Sequence, residues 1–252
     1  MTAIRMSWRG LLIILHILLG LFLARIYVRK KPENGAYYCK PELVSWWHRR
    51  FCDILNLKVT VSGPTPQAPS LMISNHVSWL DIIVLGGQSH TTFLSKDDVR
   101  SWPVVGWLSA VTGTLFIKRG GGESQSVNAQ IAERLSKGGL LTLFPEGTTT
   151  DGTDVRAFFS RLFAAALDSN TSITPVTVRY HIGGNTDLVA PYIGDQTLLD
   201  NMLGLIKRPK NEVQVIFAEP ISVEGMSRKE ASQATRDIIV EQLQSATKNS
   251  SN

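Results

Sequence analysis

The chain has 252 residues, 43% of them hydrophobic and 19% charged, with a net charge of +5. That length and balance exclude a disordered chain and leave room for one domain with a small appendage. Two cysteines, Cys39 and Cys52, without CxxC or His-rich spacing, argue against a disulfide framework and a structural zinc, and the positive charge favours an anionic partner: nucleic acid, a phosphate-bearing substrate or a membrane surface.

The N-terminus narrows that choice away from nucleic acid. Leu11 to Ala24 is apolar apart from His16, bracketed by Arg5 and Arg9 before and by Arg25, Arg29, Lys30 and Lys31 after. Ala24-Arg25-Ile26-Tyr27 lacks the small residues of a signal-cleavage site. A full span needs about 20 apolar residues, reached only if Trp8 through Val28 is counted with arginines snorkelling. A minimal span and a helix held in one leaflet both fit, and the heavier positive charge on the C-terminal side predicts a cytoplasmic body. A buried core helix is the bland alternative. Pro41–Phe51, aromatic and basic, reads as a second helix, either interfacial or packed as a hairpin.

Leu57–Val61 alternates as a strand and Gly63-Pro64-Thr65-Pro66 closes it. The expected division is therefore 1–56 as membrane-anchoring helices and 57–252 as the catalytic domain. Further strands read at Ser70–Ser74, Thr114–Lys118, Leu140–Phe144, Ile173–Tyr180 and Val213–Phe217. Helices read at Leu80–Leu85, Ser124–Ser136, Arg156–Asp168, Gln196–Lys207 and Arg228–Thr247, the last opened by a capping box of Ser227 and Glu230. This alternation predicts an α/β fold, with a central mixed sheet covered by helices on both faces and a membrane-associated helical segment before it.

Chemistry concentrates at strand ends. His76 and Asp81, in Asn75-His76-Val77-Ser78-Trp79-Leu80-Asp81, follow the apolar run Leu71–Ile73. Histidine takes a proton near neutral pH, and a carboxylate on its other nitrogen would fix the tautomer. Residues five apart diverge by roughly 140° on one helix, so the pair meets only if His76 lies in the loop and Asp81 in the helix. The same residues fit a capping box from Ser78 to Asp81 equally well. Lys118 and Arg119 end a strand before Gly120-Gly121-Gly122, where cations can approach a phosphate. Glu146 stands where a buried strand meets the turn Pro145–Gly152, and there a carboxylate must have partners.

Four blocks in order resemble the glycerolipid acyltransferase family, bacterial lysophosphatidic acid acyltransferases in particular. They are the N-H-x4-D block Asn75–Asp81, the G-x-x-F-I-x-R block Gly113–Arg119, the F-P-E-G-T block Phe144–Thr148 and Ile173-Thr174-Pro175-Val176. The resemblance covers roughly residues 70–180. It implies His76 as general base and Asp81 as its orienting partner. It further implies an acceptor site formed by Lys118, Arg119, Glu146, Gly147, Thr148 and Thr149, with Arg156 approaching from the next helix and Pro175 lining or bracing it. A strand-edge proline is the bland reading of Pro175.

The resemblance implies a fatty acyl thioester on coenzyme A or acyl carrier protein as co-substrate, no cofactor and no metal. It also implies membrane lipids as surroundings, no nucleic acid, and the inner membrane as location with the catalytic domain on the cytoplasmic side. The acceptor it implies first is the lysophospholipid 1-acylglycerol 3-phosphate, giving phosphatidic acid. One departure bears on that choice: family members making phosphatidic acid commonly have arginine after F-P-E-G-T, where this chain has Thr149. The continuation Thr149-Thr150-Asp151-Gly152 is similar to members that acylate lyso-ornithine lipid or another lyso-lipid, the alternative acceptors.

Overall fold

The computed structural model describes residues 1–30, 37–118 and 124–249. In chain order the elements are α1 (Thr2–Tyr27), β1 (Arg29–Lys30), β2 (Tyr37–Tyr38), α2 (Pro41–Ile54), β3 (Leu57–Ser62), β4 (Ser70–Ser74) and α3 (Leu80–Gln88). Then come β5 (Thr91–Lys96), α4 (Asp97–Arg100), α5 (Val105–Val111), β6 (Leu115–Ile117), α6 (Ser124–Ser136) and β7 (Leu140–Leu143). A 3₁₀ turn, Ser160–Phe163, leads into α7 (Ala164–Asp168), followed by β8 (Ile173–Ile182), β9 (Asn185–Thr186), α8 (Leu198–Lys207), β10 (Asn211–Phe217) and α9 (Arg228–Asn249).

The main sheet runs β3-β10-β8-β4-β7-β5-β6, with β9 paired to β8. All neighbours on the main path are parallel except β10 against β8, which makes the sheet mixed as expected. Side chains alternate across a strand, and the core divides accordingly. Met72 joins the side with Leu80, Val84 and Leu205 from α3 and α8, whereas Leu71 and Ile73 join the side with Ile131, Leu135 and Leu243 from α6 and α9. Helices therefore cover both faces. The capping box Ser227–Glu230 forms in both directions.

Two expectations differ in detail. The helix expected over Arg156–Asp168 begins as the 3₁₀ turn at Ser160, because the Arg156 and Phe159 N–H groups are engaged by the Glu146 carboxylate and the Pro145 carbonyl. The stretch 91–111, to which the sequence pattern assigns no element, supplies an inner strand and two short helices.

α1 lies along the body. Arg5 and Arg9 donate to the carbonyls of residues 206–208 at the end of α8, and Arg9 also to Pro209. Further along, His16 Nε2 donates to the Trp47 carbonyl at 3.0 Å, Trp47 Nε1 donates to the His16 carbonyl, and the two rings stack. A Cβ on Gly20 would lie 2.8 Å from Trp47 Nε1, so glycine permits this lock. α1 is long and apolar enough to cross a membrane.

α2 closes on α3 where Gly86 and Gly87 lack side chains; a Cβ on Gly86 would fall 2.2 Å from His48 Nδ1. Burial pushes the His48 imidazole down to about 4. The folded state therefore resists a proton that the unfolded chain accepts below pH 6.5. Stability is full above that pH and falls progressively towards pH 4. The full shift would cost ~3 kcal/mol; the residue as a whole is half-buried and borders the cavity, so about 2 kcal/mol is expected. Unfolding midpoints of wild type and His48→Gln between pH 7 and 4.5 check this: the variant should lack that part of the acid slope.

Candidate active site

β4 and β7 are parallel neighbours with Ile73 opposite Leu143. Their carboxyl ends deliver Asn75–Asp81 and Pro145–Gly152 to one edge of the sheet, where open α/β sheets bind ligands. Asn75 is fully buried and spans to β8: its amide donates to the Val178 carbonyl at 2.9 Å and accepts the Val178 N–H at 2.8 Å. This continues the β4–β8 ladder beyond Ser74–Val176.

The next residue is held from both ends of its peptide. The His76 N–H donates to Glu146 Oε1 at 2.7 Å, and its carbonyl accepts the Thr150 N–H at 2.8 Å. Its ring stacks on Phe144 at 4.1 Å between centroids and lines a cavity. Nδ1 lies 2.7 Å from Asp81 Oδ2. A carboxylate only accepts, so Nδ1 carries the hydrogen and Nε2 keeps a lone pair able to take a hydroxyl proton.

Asp81 is fully buried, with four donors on its carboxylate. Oδ2 also accepts the Val77 and Ser78 N–H groups at 2.8 and 3.0 Å, and Oδ1 accepts the Tyr180 hydroxyl at 2.8 Å. Burial and the Asp81 charge push the Tyr180 phenol well above its usual range, so it stays a donor. The two sequence readings meet here in part. Asp81 makes its half of the capping box on Ser78, but α3 begins with Trp79 as N-cap, and Ser78 Oγ is buried without a hydrogen-bond partner among the described residues. The other half of the box does not form. Ser78→Ala should therefore change stability by less than about 0.5 kcal/mol, where loss of a working N-cap costs about 1; thermal unfolding distinguishes the two.

Glu146, 4% exposed, joins two segments: Oε1 holds His76 and Oε2 accepts the Arg156 N–H at 2.9 Å. Burial pushes its carboxyl up, and the two backbone bonds pull it back. Gly147 turns at φ +69°, and Gly147, Thr148 and Thr149 line the cavity. The Thr149 hydroxyl donates to the Tyr192 carbonyl, whose own N–H donates to the Val77 carbonyl.

Two of the expected cations are not at the cavity. Lys118 is exposed beyond β6 and Arg156 is exposed, neither among the cavity-lining residues, and Arg119 lies outside the described residues. Instead Arg161, which the sequence reading passed over inside an expected helix, lines the cavity with its guanidinium over the Phe159 ring. Pro175 is not at a sheet edge. It is buried on the interior strand β8, just where the ladder to β10 ends at Val176–Phe217, and its carbonyl accepts the Ala218 N–H. Tyr180 was read only as the end of a strand, because no local signal ties it to a residue 99 positions away.

The cavity encloses about 960 Å³, at the upper end for small-molecule sites. Its walls are mostly apolar: Ile13 and Ile17 of α1, Trp79, Leu108 of α5 and Met202 of α8. Among the described residues no cluster of three His, Cys, Asp or Glu side chains suits a metal ion. The arrangement is thus a base beside an apolar chamber.

Comparison with known proteins gives the family. The Acyltransferase family profile matches residues 56–179. A lyso-ornithine lipid O-acyltransferase of Pseudomonas aeruginosa is 39% identical over 241 residues, covering 95% of this chain and 93% of that protein. A 1-acyl-sn-glycerol-3-phosphate acyltransferase of Neisseria gonorrhoeae is 29% identical over 192 residues, covering 75% and 74%. The crystal structure of the 1-acyl-sn-glycerophosphate acyltransferase PlsC from Thermotoga maritima shares the fold, with a TM-score of 0.71 at 17% identity over 97% of this chain and 95% of that one. This chain is an acyltransferase and belongs to the glycerolipid acyltransferase family.

Proposed function

We propose that the enzyme is a membrane-bound O-acyltransferase that esterifies the hydroxyl of lyso-ornithine lipid, using a fatty acyl thioester of coenzyme A or acyl carrier protein. The observation carrying the reaction type is the His76 Nδ1–Asp81 Oδ2 contact of 2.7 Å beside an apolar cavity. His76 Nε2 takes the acceptor hydroxyl proton as the oxygen attacks the thioester carbonyl. The C–S bond breaks, the ester forms, and the imidazolium returns its proton to the departing thiolate. Asp81 stabilises the imidazolium. A thioester is reactive enough that no serine or cysteine acyl-enzyme is needed. The working location is the inner membrane, with the catalytic domain on the cytoplasmic side.

Lyso-ornithine lipid displaces 1-acylglycerol 3-phosphate as acceptor for two reasons. Similarity to the lyso-ornithine lipid enzyme is higher and spans nearly both chains. Thr149 stands where a phosphate-reading arginine is expected, and Arg156 does not replace it at the cavity. Arg161 at the cavity suits this acceptor, since a guanidinium can hold the ornithine carboxylate by two parallel N–H bonds, though it would hold a phosphate in the same way.

Purified enzyme, each donor in turn and a panel of lyso-lipids test this, with the product ester read by mass spectrometry. Diacylated ornithine lipid is expected. Phosphatidic acid formation with lyso-ornithine lipid left unused would overturn the acceptor. Arg161→Gln should raise the KM for lyso-ornithine lipid roughly 10- to 100-fold, the loss of one charge-assisted contact, with kcat little changed.

A further inference from the structure

Trp102, Val104, Val105 and Trp107 stand within six residues, each more than a third exposed. Such a group exceeds the scattered apolar residues of an ordinary surface. It belongs to the α4–α5 segment, and that segment is firmly built. Ser101 and Trp102 N–H groups close onto Asp98 and Val99, and Gly106 closes onto Trp102. The Val105 N–H donates to the Pro103 carbonyl at 2.7 Å, a γ-turn that holds Val104 at φ +65°. A β-branched residue at positive φ is strained and persists only where its surroundings enforce it. A Cβ on Gly106 would sit 2.2 Å from the Arg100 carbonyl oxygen, so the turn is pressed against α4. The protein thus holds these partly exposed apolar side chains in a fixed conformation, Trp102, Val104 and Val105 at the cavity mouth and Trp107 beside them.

What covers them follows from α1. Its buried stripe is narrow, Arg9, Ile13, His16, Gly20 and Ala24, while Trp8, Leu11, Ile14, Leu18 and Phe22 face outward. At 26 residues α1 is about 39 Å long, and this outward apolar face covers about 21 Å of it. α5 packs against α1, and Ile17, Gly20 and Ala24 line the same cavity as Val104, Val105 and Leu108. α1 and α4–α5 therefore stand side by side on the rim of one cavity, each with exposed apolar residues beside it. A lipid leaflet is a cover of the required extent, and it holds the amphiphiles that the chamber would accept.

We propose that α4–α5 is a second membrane-insertion element, with Trp102 and Trp107 at headgroup level and Val104 and Val105 at the acyl boundary. Tryptophan rings favour that level because one edge is apolar and the other wet. Together with α1 the segment frames the route by which lipid chains pass from leaflet to cavity. This rests on reading the enzyme as membrane-bound.

The test compares the full chain with Trp102→Phe/Trp107→Phe in anionic phospholipid vesicles with and without lipids brominated high on one acyl chain. Subtracting the two proteins' emission isolates Trp102 and Trp107. That difference should be quenched at least about twofold by brominated vesicles. If it is equal in both vesicles while the remaining emission, which includes Trp8, is quenched, α4–α5 faces water or another protein and the proposal fails, though membrane binding stands. If neither is quenched, the membrane-bound reading fails and takes the proposal with it. Should the double variant not fold, the single substitutions give the same subtraction.

Discussion

His76→Ala is expected to lower kcat for acyl transfer by roughly 10²- to 10⁴-fold, the usual worth of a positioned general base. Stability should stay within about 1 kcal/mol of wild type. The ring is partly exposed and contributes a stack on Phe144. The bonds that hold the loop run through the His76 backbone, to Glu146 and Thr150, and survive the substitution. Three of the four donors to Asp81 also remain. KM for the acyl donor should therefore change little. Thiol release measured in the presence of the acceptor reads kcat, and circular dichroism on heating reads stability. If the variant kept more than about a tenth of the wild-type rate, general-base catalysis by His76 would be wrong.

Much of this fold was legible because its inner strands are short apolar runs ended by turn residues. Ser70–Ser74, Leu140–Leu143 and Ile173–Ile182 sit at the sheet centre, buried on both faces, and such strands read plainly. β5 did not, because Thr91-Thr92-Phe93-Leu94-Ser95-Lys96 mixes polar and apolar residues with no clean period, and what makes it a strand is pairing with β7 and β6. α4 and α5 are too short, at 4 and 7 residues, to carry a helical period.

The site divides in the same way. Contacts made within a few residues, such as His76 with Asp81, could be posed as a geometric condition from spacing alone. Contacts fixed by the sheet could not. Tyr180 reaches Asp81 because β8 lies beside β4, and Arg161 rather than Arg156 borders the cavity because Glu146 delays the helix. Glu146 is itself an instance. A carboxylate at a buried strand end had to find partners, yet that one partner would be the His76 N–H follows only from the parallel pairing of β4 and β7.

Asp81→Asn and Asp81→Ala should separate the two tasks of this carboxylate, charge and architecture. An asparagine can turn its oxygen towards His76 Nδ1 and the Val77 and Ser78 N–H groups, and its amide N–H₂ towards the Tyr180 oxygen, which can accept as well as donate. The loop, the start of α3 and the histidine tautomer are then kept, at a cost of about 1–2 kcal/mol for weaker bonds. The negative charge that stabilises the imidazolium is lost, so kcat should fall about 10²-fold or more with KM nearly constant. Alanine instead leaves two backbone N–H groups and the Tyr180 hydroxyl buried without an acceptor. That costs roughly 3–5 kcal/mol and should lower the unfolding midpoint sharply. Steady-state kinetics and thermal unfolding of both variants decide between the tasks. A folded Asp81→Asn with near wild-type kcat would leave Asp81 as the architect of the loop, with no electrostatic part in the reaction.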